Sequence, residues 1–319
     1  MGGPPVVTSS SSESALGALA PGADSHPRRR RASSSWAPFL APSIVVLAAI
    51  GLIPLAYAIQ LSFTSFSFIL PDRTGQWVGL ENYASLATNG AFLAAVVRTS
   101  LFTGSAVFLE LMFGLLLAAG LNATGRERGP LLGLLIIPMI LTPVIVGLMF
   151  NFAVNPQFGP LATIFRSATG SPLDALGSPI GAFITLVLVD VWQWSSFMAL
   201  MLWAGMQGLP SSPLEAAAVD GASALQRLRL IMVPMLRPVI VVAVIFRSAE
   251  AMREFDKVFV LTGGGPGSAT EVLDLFTYRV AFVNWDMSLG AAMGVVEFLV
   301  ALAAAYMFFR IVTRSGRVA

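Results

Sequence analysis

Six apolar stretches recur along the chain, at residues 37–63, 92–121, 131–152, 180–206, 236–261 and 287–309, and each is long enough to cross a bilayer as a helix. A hydrocarbon core of roughly 30 Å takes about 20 helical residues per crossing, and every backbone N–H and C=O inside it must find a partner within the protein. The rest of the composition agrees. With 56% hydrophobic residues, 11% charged residues and a mean hydropathy of +0.78, the 319-residue chain has too little polar surface to cover a soluble globule of its length. The sequence therefore predicts an all-α polytopic membrane protein with six transmembrane helices. The fifth stretch is the weakest, because Arg247, Glu250, Arg253 and Glu254 interrupt it. Pro138 and Pro143 should bend or break the third and free backbone groups near Thr142, which then need an internal partner or a cavity.

Residues 1–35 are rich in Ser, Gly, Pro and Ala and bury too little apolar area to offset chain entropy, which predicts a disordered tail. Arg28 to Arg31 precede a first apolar stretch without a small-residue cleavage site, so that stretch reads as a retained anchor. Basic residues distribute unevenly across the six crossings. Arg28 to Arg31, Arg126, Arg128, Arg227, Arg229, Arg237, Arg310, Arg314 and Arg317 fall on one side, and Arg73, Arg166, Lys257 and Arg279 on the other. The positive-inside rule then places both termini and the loop at 207–237 in the cytoplasm of a multi-pass cell-membrane protein. The predicted organisation is a tail over 1–35, a membrane domain over 36–314 carrying that loop, and a short cytoplasmic tail over 315–319.

Several chemistries are excluded. Cysteine is absent and His26 is the single histidine, so thiolate nucleophiles, disulfides and Cys/His metal sites cannot be built. A phosphate-binding P-loop needs a lysine before Ser or Thr, whereas Lys257, the one lysine, lies between Asp256 and Val258. The arginines sit at membrane boundaries and form no stripe suited to nucleic acid.

The loop contains the segment Glu215 to Pro238, EAAAVDGASALQRLRLIMVPMLRP. Ser212, Pro213 and Glu215 fit an N-cap, a first-turn proline and a capping-box glutamate, so a short helix should start there. Gly221 offers it an exit, and Ser223 can cap a second helix running to about Met232. The pattern Glu215-Ala216-Ala217 through Asp220-Gly221-Ala222, followed by Pro234, resembles the coupling loop of permease subunits of binding-protein-dependent ABC importers. A second match, Glu254-Phe255-Asp256 through Leu261-Thr262-Gly263-Gly264-Gly265-Pro266 to Ala281-Phe282, resembles the sugar-importing branch of that family, in particular its MalF-like maltose permeases and SugA-like trehalose permeases. The resemblance covers roughly Trp36 to Arg314. It implies the type I importer permease fold and a subunit that is no enzyme and carries no cofactor. The implied partners are a second homologous permease, two ATPase subunits that bind ATP and Mg, an extracytoplasmic sugar-binding protein or lipoprotein, and the surrounding lipid. Glu215, Ala216, Ala217, Asp220, Gly221 and Ala222 are the implied ATPase contacts.

Ionisable side chains at the bilayer centre cost roughly 2.5–3.5 kcal/mol each on insertion scales, so those of the fourth and fifth stretches must face protein or a water-filled path. Arg247, Glu250 and Glu254 align at i, i+3, i+7 on one face, as do Asp190, Gln193 and Phe197, with Trp192 and Trp194 beside them. Aromatic faces plus a few polar anchors are what a carbohydrate pocket requires. By the resemblance, the sugar-contacting positions are Gln193, Trp194, Phe197, Arg247, Ala251 and Glu254; the two stripes add Asp190 and Glu250. Two readings stay open for the fifth stretch: a sugar-contacting face, or a structural network pairing Arg247 with Glu250 and Arg253 with Glu250 or Asp256. Arg98, Glu110 and Glu297 are candidates for pairing between helices. The run Gly263 to Gly267 is either a mobile turn or a loop that contacts the binding protein. The rival function is a secondary, ion-coupled transporter in which Asp190, Glu250 and Glu254 relay protons.

Overall fold

The computed structural model describes residues 2–3, 37–66, 75–124 and 128–315. Apart from Gly2 and Gly3 the predicted tail lies outside the described residues, as do Arg73, Arg126 and the chain from residue 316. The chain forms two units, Met1–Ile50 and Gly51–Ala319. In the first, the described structure beyond Gly2 and Gly3 is the opening half of helix α1 (Ala37–Ser62), whose Leu40, Ile44, Leu47 and Ile50 are exposed.

The second unit begins with the rest of α1 and a two-residue antiparallel pair, β1 (Thr64–Ser65) with β2 (Gln76–Trp77), in which Thr64 faces Trp77. The remainder is helical: α2 (Glu81–Thr88), α3 (Gly90–Ala123), α4 (Arg128–Ile140), α5 (Pro143–Ala153), α6 (Pro160–Thr169), α7 (Pro179–Gln207), α8 (Ser212–Val219), α9 (Ala224–Arg227), α10 (Val233–Met235), α11 (Arg237–Ala251), α12 (Asp256–Leu261), α13 (Leu273–Tyr278) and α14 (Met287–Ser315). Single π-helical turns occupy Leu228–Met232 and Arg279–Val283.

Among the described residues four helical segments, Leu40–Ser62, Gly90–Ala123, Pro179–Gln207 and Met287–Tyr306, are each long and apolar enough to cross a membrane. Two bent helix pairs, Gly129–Ile140 with Pro143–Ala153 at 93° and Ala224–Met235 with Arg237–Ala251 at 73°, bring the number to six if each counts as one span. The third predicted stretch breaks at Pro143 and not at Pro138, which stays inside α4. The ring of Pro143 pushes Thr142 out of the helical region, to φ −67° and ψ 144°, and the proline opens α5 at its first position. The fifth stretch, predicted as one helix over 236–261, is not one. α11 stops at Ala251, residues 252–255 turn, and α12 restarts at Asp256 with the Glu254 carboxylate accepting the Lys257 N–H at 3.2 Å.

Lipid tails are as apolar as leucine, so helices in a membrane associate through close packing of small residues more than through burial from water. α3 and α7 form the longest helix contact of the unit on that principle. A Cβ at Gly114 would lie 2.5 Å from the Met198 Cβ, so glycine sets how closely the two helices approach. Phe102, Ala106, Leu186, Met198, Val258 and Leu261 are buried in one cluster around this contact. Gly147 of α5 plays the same part against α12, where its Cβ would meet that of Val260 at 3.2 Å. The half of the third stretch after its break therefore packs on α12.

Candidate functional site

The buried charges of the three helices α3, α7 and α11 meet α12 in one network. Asp190 of α7 accepts from Arg247 Nη2 through one carboxylate oxygen and from Lys257 Nζ through the other, each at 2.5 Å. Lys257 also reaches Glu254 Oε2 at 2.8 Å and Gln193 Oε1 at 3.1 Å. Arg247 Nε lies 2.9 Å from Glu110 Oε2 of α3, an ion pair between two buried side chains. Gln193 turns its amide nitrogen the other way, donating to the Leu141 carbonyl at 2.8 Å. That carbonyl belongs to the break before Pro143, which thus finds the internal partner that the sequence requires.

The network fixes which predicted residues can meet a ligand. Asp190 and Lys257 have no exposed surface, Arg247 and Gln193 have 1% each, and Glu254 has 8%. Trp194 and Phe197 are only partly buried and meet edge to face at 6.2 Å between ring centroids. Phe197 continues onto Phe246 of α11 at 5.4 Å, and Phe246 is exposed. Glu250, one helical turn on from Phe246, is exposed too, whereas Ala251 is buried. An aromatic strip with a carboxylate beside it therefore lies at the surface, with the charges behind it. The Arg247 guanidinium sits 4.8 Å from the Trp194 ring centroid and the Lys257 ammonium 5.9 Å, both within cation–π range.

The structure draws the Arg247 pair differently from the structural network read from the sequence. Arg247 pairs with Asp190 and Glu110, across helices, and not with Glu250, which points to the exposed side. Glu110 joins Arg247 as an interhelical pair. Arg98 donates to the Glu271 carbonyl at 3.2 Å and to Ser268 Oγ at 3.0 Å, and Glu297 accepts from Thr277 Oγ1 at 2.8 Å. Sequence reasoning missed Lys257, which it assigned to the outer loops because a straight fifth helix would carry residue 257 near its end. The one available signal was its i, i+3 relation to Glu254.

The segment after α7 folds as two short helices. α8 starts at Ser212, but its N-cap is Ser211, already in a helical conformation at φ −75° and ψ −28°, so the predicted Ser212–Glu215 capping box does not form. Gly221 takes φ +83°, a left-handed conformation that glycine adopts without a steric penalty, and lets the chain reverse. The second capping box is present: Ser223 Oγ accepts from the Gln226 N–H at 3.3 Å and the Gln226 side chain accepts from the Ser223 N–H at 2.8 Å. The helix it opens passes into the π-turn ending at Met232. Leu214, Leu228 and Met232 anchor the unit on the ends of α3 and α7, beside Ala118, Leu202 and Met206. Its other face carries Glu215, Ala216, Asp220 and Gly221 exposed, with Ala217 and Ala222 half-buried. Val219, the last residue of α8, is an apolar side chain 89% exposed.

The glycine run is held by hydrogen bonds. Gly263, Gly264 and Gly267 all have positive φ. Thr270 Oγ1 donates to the Gly265 carbonyl at 2.9 Å, Arg279 Nη2 donates to the Gly263 carbonyl at 2.5 Å, and Arg279 also pairs with Glu271. With Arg98 bonded to the same segment, the turn is tied to α3 and to the residues after α13.

A family model described as "Binding-protein-dependent transport system inner membrane component" matches residues 110–317. The chain is 32% identical over 270 residues to the trehalose/maltose transport system permease protein MalF of Thermococcus litoralis, covering 85% of this chain and 90% of that one. It is 31% identical over 274 residues to the trehalose transport system permease protein SugA of Mycobacterium tuberculosis, covering 85% and 86%. Among solved structures, a bacterial alginate ABC transporter in complex with an alginate pentasaccharide-bound periplasmic protein superposes with a TM-score of 0.72 at 20% identity, over 86% of this chain and 94% of that one.

Proposed function

Because the chain belongs to the family of inner membrane components of binding-protein-dependent transport systems, we propose that it forms, with a second permease of the same family, the path of an ATP-driven importer for a disaccharide of the trehalose or maltose kind. The chain is a membrane-embedded subunit with the fold of type I ABC importer permeases. Two ATPase subunits carrying ATP and Mg dock on the exposed face of α8 and α9, from the cytoplasmic side where both termini also lie. An extracytoplasmic binding protein delivers the sugar at the opposite end, near the glycine run. Hydrolysis belongs to the ATPases; this chain converts movement of the α8–α9 unit into alternating access.

The observation that carries the sugar reading is the surface strip of Trp194, Phe197 and Phe246 with Glu250 beside it. Aromatic rings cover the C–H faces of a sugar and a carboxylate accepts hydrogen bonds from its hydroxyls, so three adjoining rings and one acid suit a molecule of two rings. Glu254, at the edge of the strip, is the second acceptor. Asp190, Gln193, Arg247 and Ala251 are buried behind these five and shape the site from within.

The test is uptake of radiolabelled trehalose and maltose by the assembled importer in liposomes, with binding protein outside and ATP inside. ATP-dependent accumulation of either sugar supports the proposal. Uptake driven by an ion gradient without ATP, or no uptake of either sugar, overturns it.

A further inference from the structure

Lys257 has a role that neither charge neutralisation nor sugar contact describes. An ammonium has three donors, and here each has its own acceptor: Asp190 Oδ1 at 2.5 Å, Glu254 Oε2 at 2.8 Å and Gln193 Oε1 at 3.1 Å. Two of these acceptors lie on α7 and the third in the turn between α11 and α12. Gln193 passes the connection on to the Leu141 carbonyl at 2.8 Å, so an unbroken line of hydrogen bonds runs from α12 through α7 to the break between α4 and α5. Gln193 thus fastens the α4–α5 break to α7, and Lys257 fastens α12 and the turn before it to the same helix. The same ammonium lies 5.9 Å from the Trp194 ring centroid, and its neighbour Arg247, held by the same Asp190, lies at 4.8 Å. The indole rests on two cations whose places are set from below.

We propose that Lys257 is a positioning residue for the sugar-contacting strip. It fastens α12 to α7, at the same Gln193 whose amide holds the α4–α5 break, and sets the orientation in which Trp194 and Glu254 meet the sugar. The residue itself has no exposed surface and touches no substrate. The proposal rests on the reading of that strip as the sugar-contacting surface.

The test compares wild type, K257M and K257R in the assembled importer, reconstituted with binding protein, measuring trehalose and maltose uptake and ATP hydrolysis on the same vesicles. Misplacing a positioned group by about an ångström costs up to ~10²-fold, so the sugar moved per ATP hydrolysed should fall about tenfold or more in K257M. K257R keeps the cation and should recover part of that ratio. A residue that is only a brace would lower the amount of intact assembly, and with it uptake and hydrolysis in proportion. An unchanged ratio therefore overturns the proposal. If K257M does not assemble, E254Q/K257M replaces it and is compared with E254Q alone; the pair removes one acid with one base and keeps the formal charge of the network. The same ratio in both overturns the proposal, and so does failure of every Lys257 variant, K257R included, to assemble. A wild-type importer that moves neither sugar removes the function proposed above and this role with it, whereas sugar movement with an unchanged ratio removes only this role.

Discussion

Replacing Asp190 with asparagine changes the charge at the centre of the network while keeping the shape of the side chain. Three carboxylates, Glu110, Asp190 and Glu254, face two cations, Arg247 and Lys257, so on formal charge alone the substitution would bring the cluster to neutrality and stabilise it. The geometry argues the opposite. Asp190 is the one acid that bonds both cations, at 2.5 Å each, and it has no exposed surface. An asparagine leaves Arg247 with Glu110, and Lys257 with Glu254 and Gln193. It also turns an amide N–H₂ toward one of the cations. Removing one partner of a buried pair costs about 3–5 kcal/mol. At about 2–4 °C of melting temperature per kcal/mol for a domain of 150–250 residues, D190N should melt at least about 6 °C below wild type. Thermal unfolding of the purified assembly, followed by size-exclusion chromatography of a fluorescent fusion to this chain, gives the number. D190N/K257M should lose less than the sum of the two single variants, since neighbours in one network couple by about 0.5–3 kcal/mol. A melting temperature equal to or above that of wild type would refute the assignment of Asp190 as the hub.

Three further expectations come from other parts of the structure. G114L places a side chain where even a Cβ would be 2.5 Å from the Met198 Cβ; with overpacking worth about 1–3 kcal/mol or more, it should lower assembly yield and thermal stability, and normal values of both would contradict the close α3–α7 approach. G221I forces a β-branched residue into φ +83°, at a cost of about 1–3 kcal/mol, while no neighbour lies within 4 Å of its Cβ. It should insert and fold normally yet lose ATPase co-purification or sugar-stimulated hydrolysis, and full stimulation would count against a coupling role for this turn. Reporter fusions after Gly125, Leu209 and Gly316 should read cytoplasmic and those near Gly75, Gly170 and Gly267 external; a cytoplasmic signal at Gly170 would break the six-span topology.

The helices and their approximate ends were legible because each apolar stretch is long and because glycine, proline and serine mark the boundaries chemically. The turn at Gly221 and the Ser223 cap are examples. The break before Pro143 was legible for the same reason: the constraint is local and steric. What the chain order could not disclose is partner choice among buried charges. Arg247 lies three residues from Glu250 in sequence, and helical spacing pairs them, but Asp190 and Glu110 on neighbouring helices are buried, where opposite charges attract far more strongly than at the exposed face of α11. The turn at 252–255 then brings Lys257 inward, and nothing local announces it. Ser212 failed as a cap for a related reason, since the chain enters α8 already helical and its preceding residue takes the cap position.

Proline at 143 and glutamine at 193 are 50 positions apart in sequence and meet at one break, where the Gln193 amide donates to the carbonyl of Leu141 just ahead of the proline. That bond makes the two residues a single inherited character. A change of Pro143 to an ordinary helix former would let the Ile145 N–H claim the Leu141 carbonyl and would strand a buried amide on α7. A change of Gln193 to an apolar residue would strand the carbonyl. Neither change is neutral alone, whereas the two together restore a continuous helix beside an apolar wall. Lineages of this family should therefore keep both or lose both, with few intermediates surviving, and in those that lose them the ammonium at 257 has one acceptor fewer.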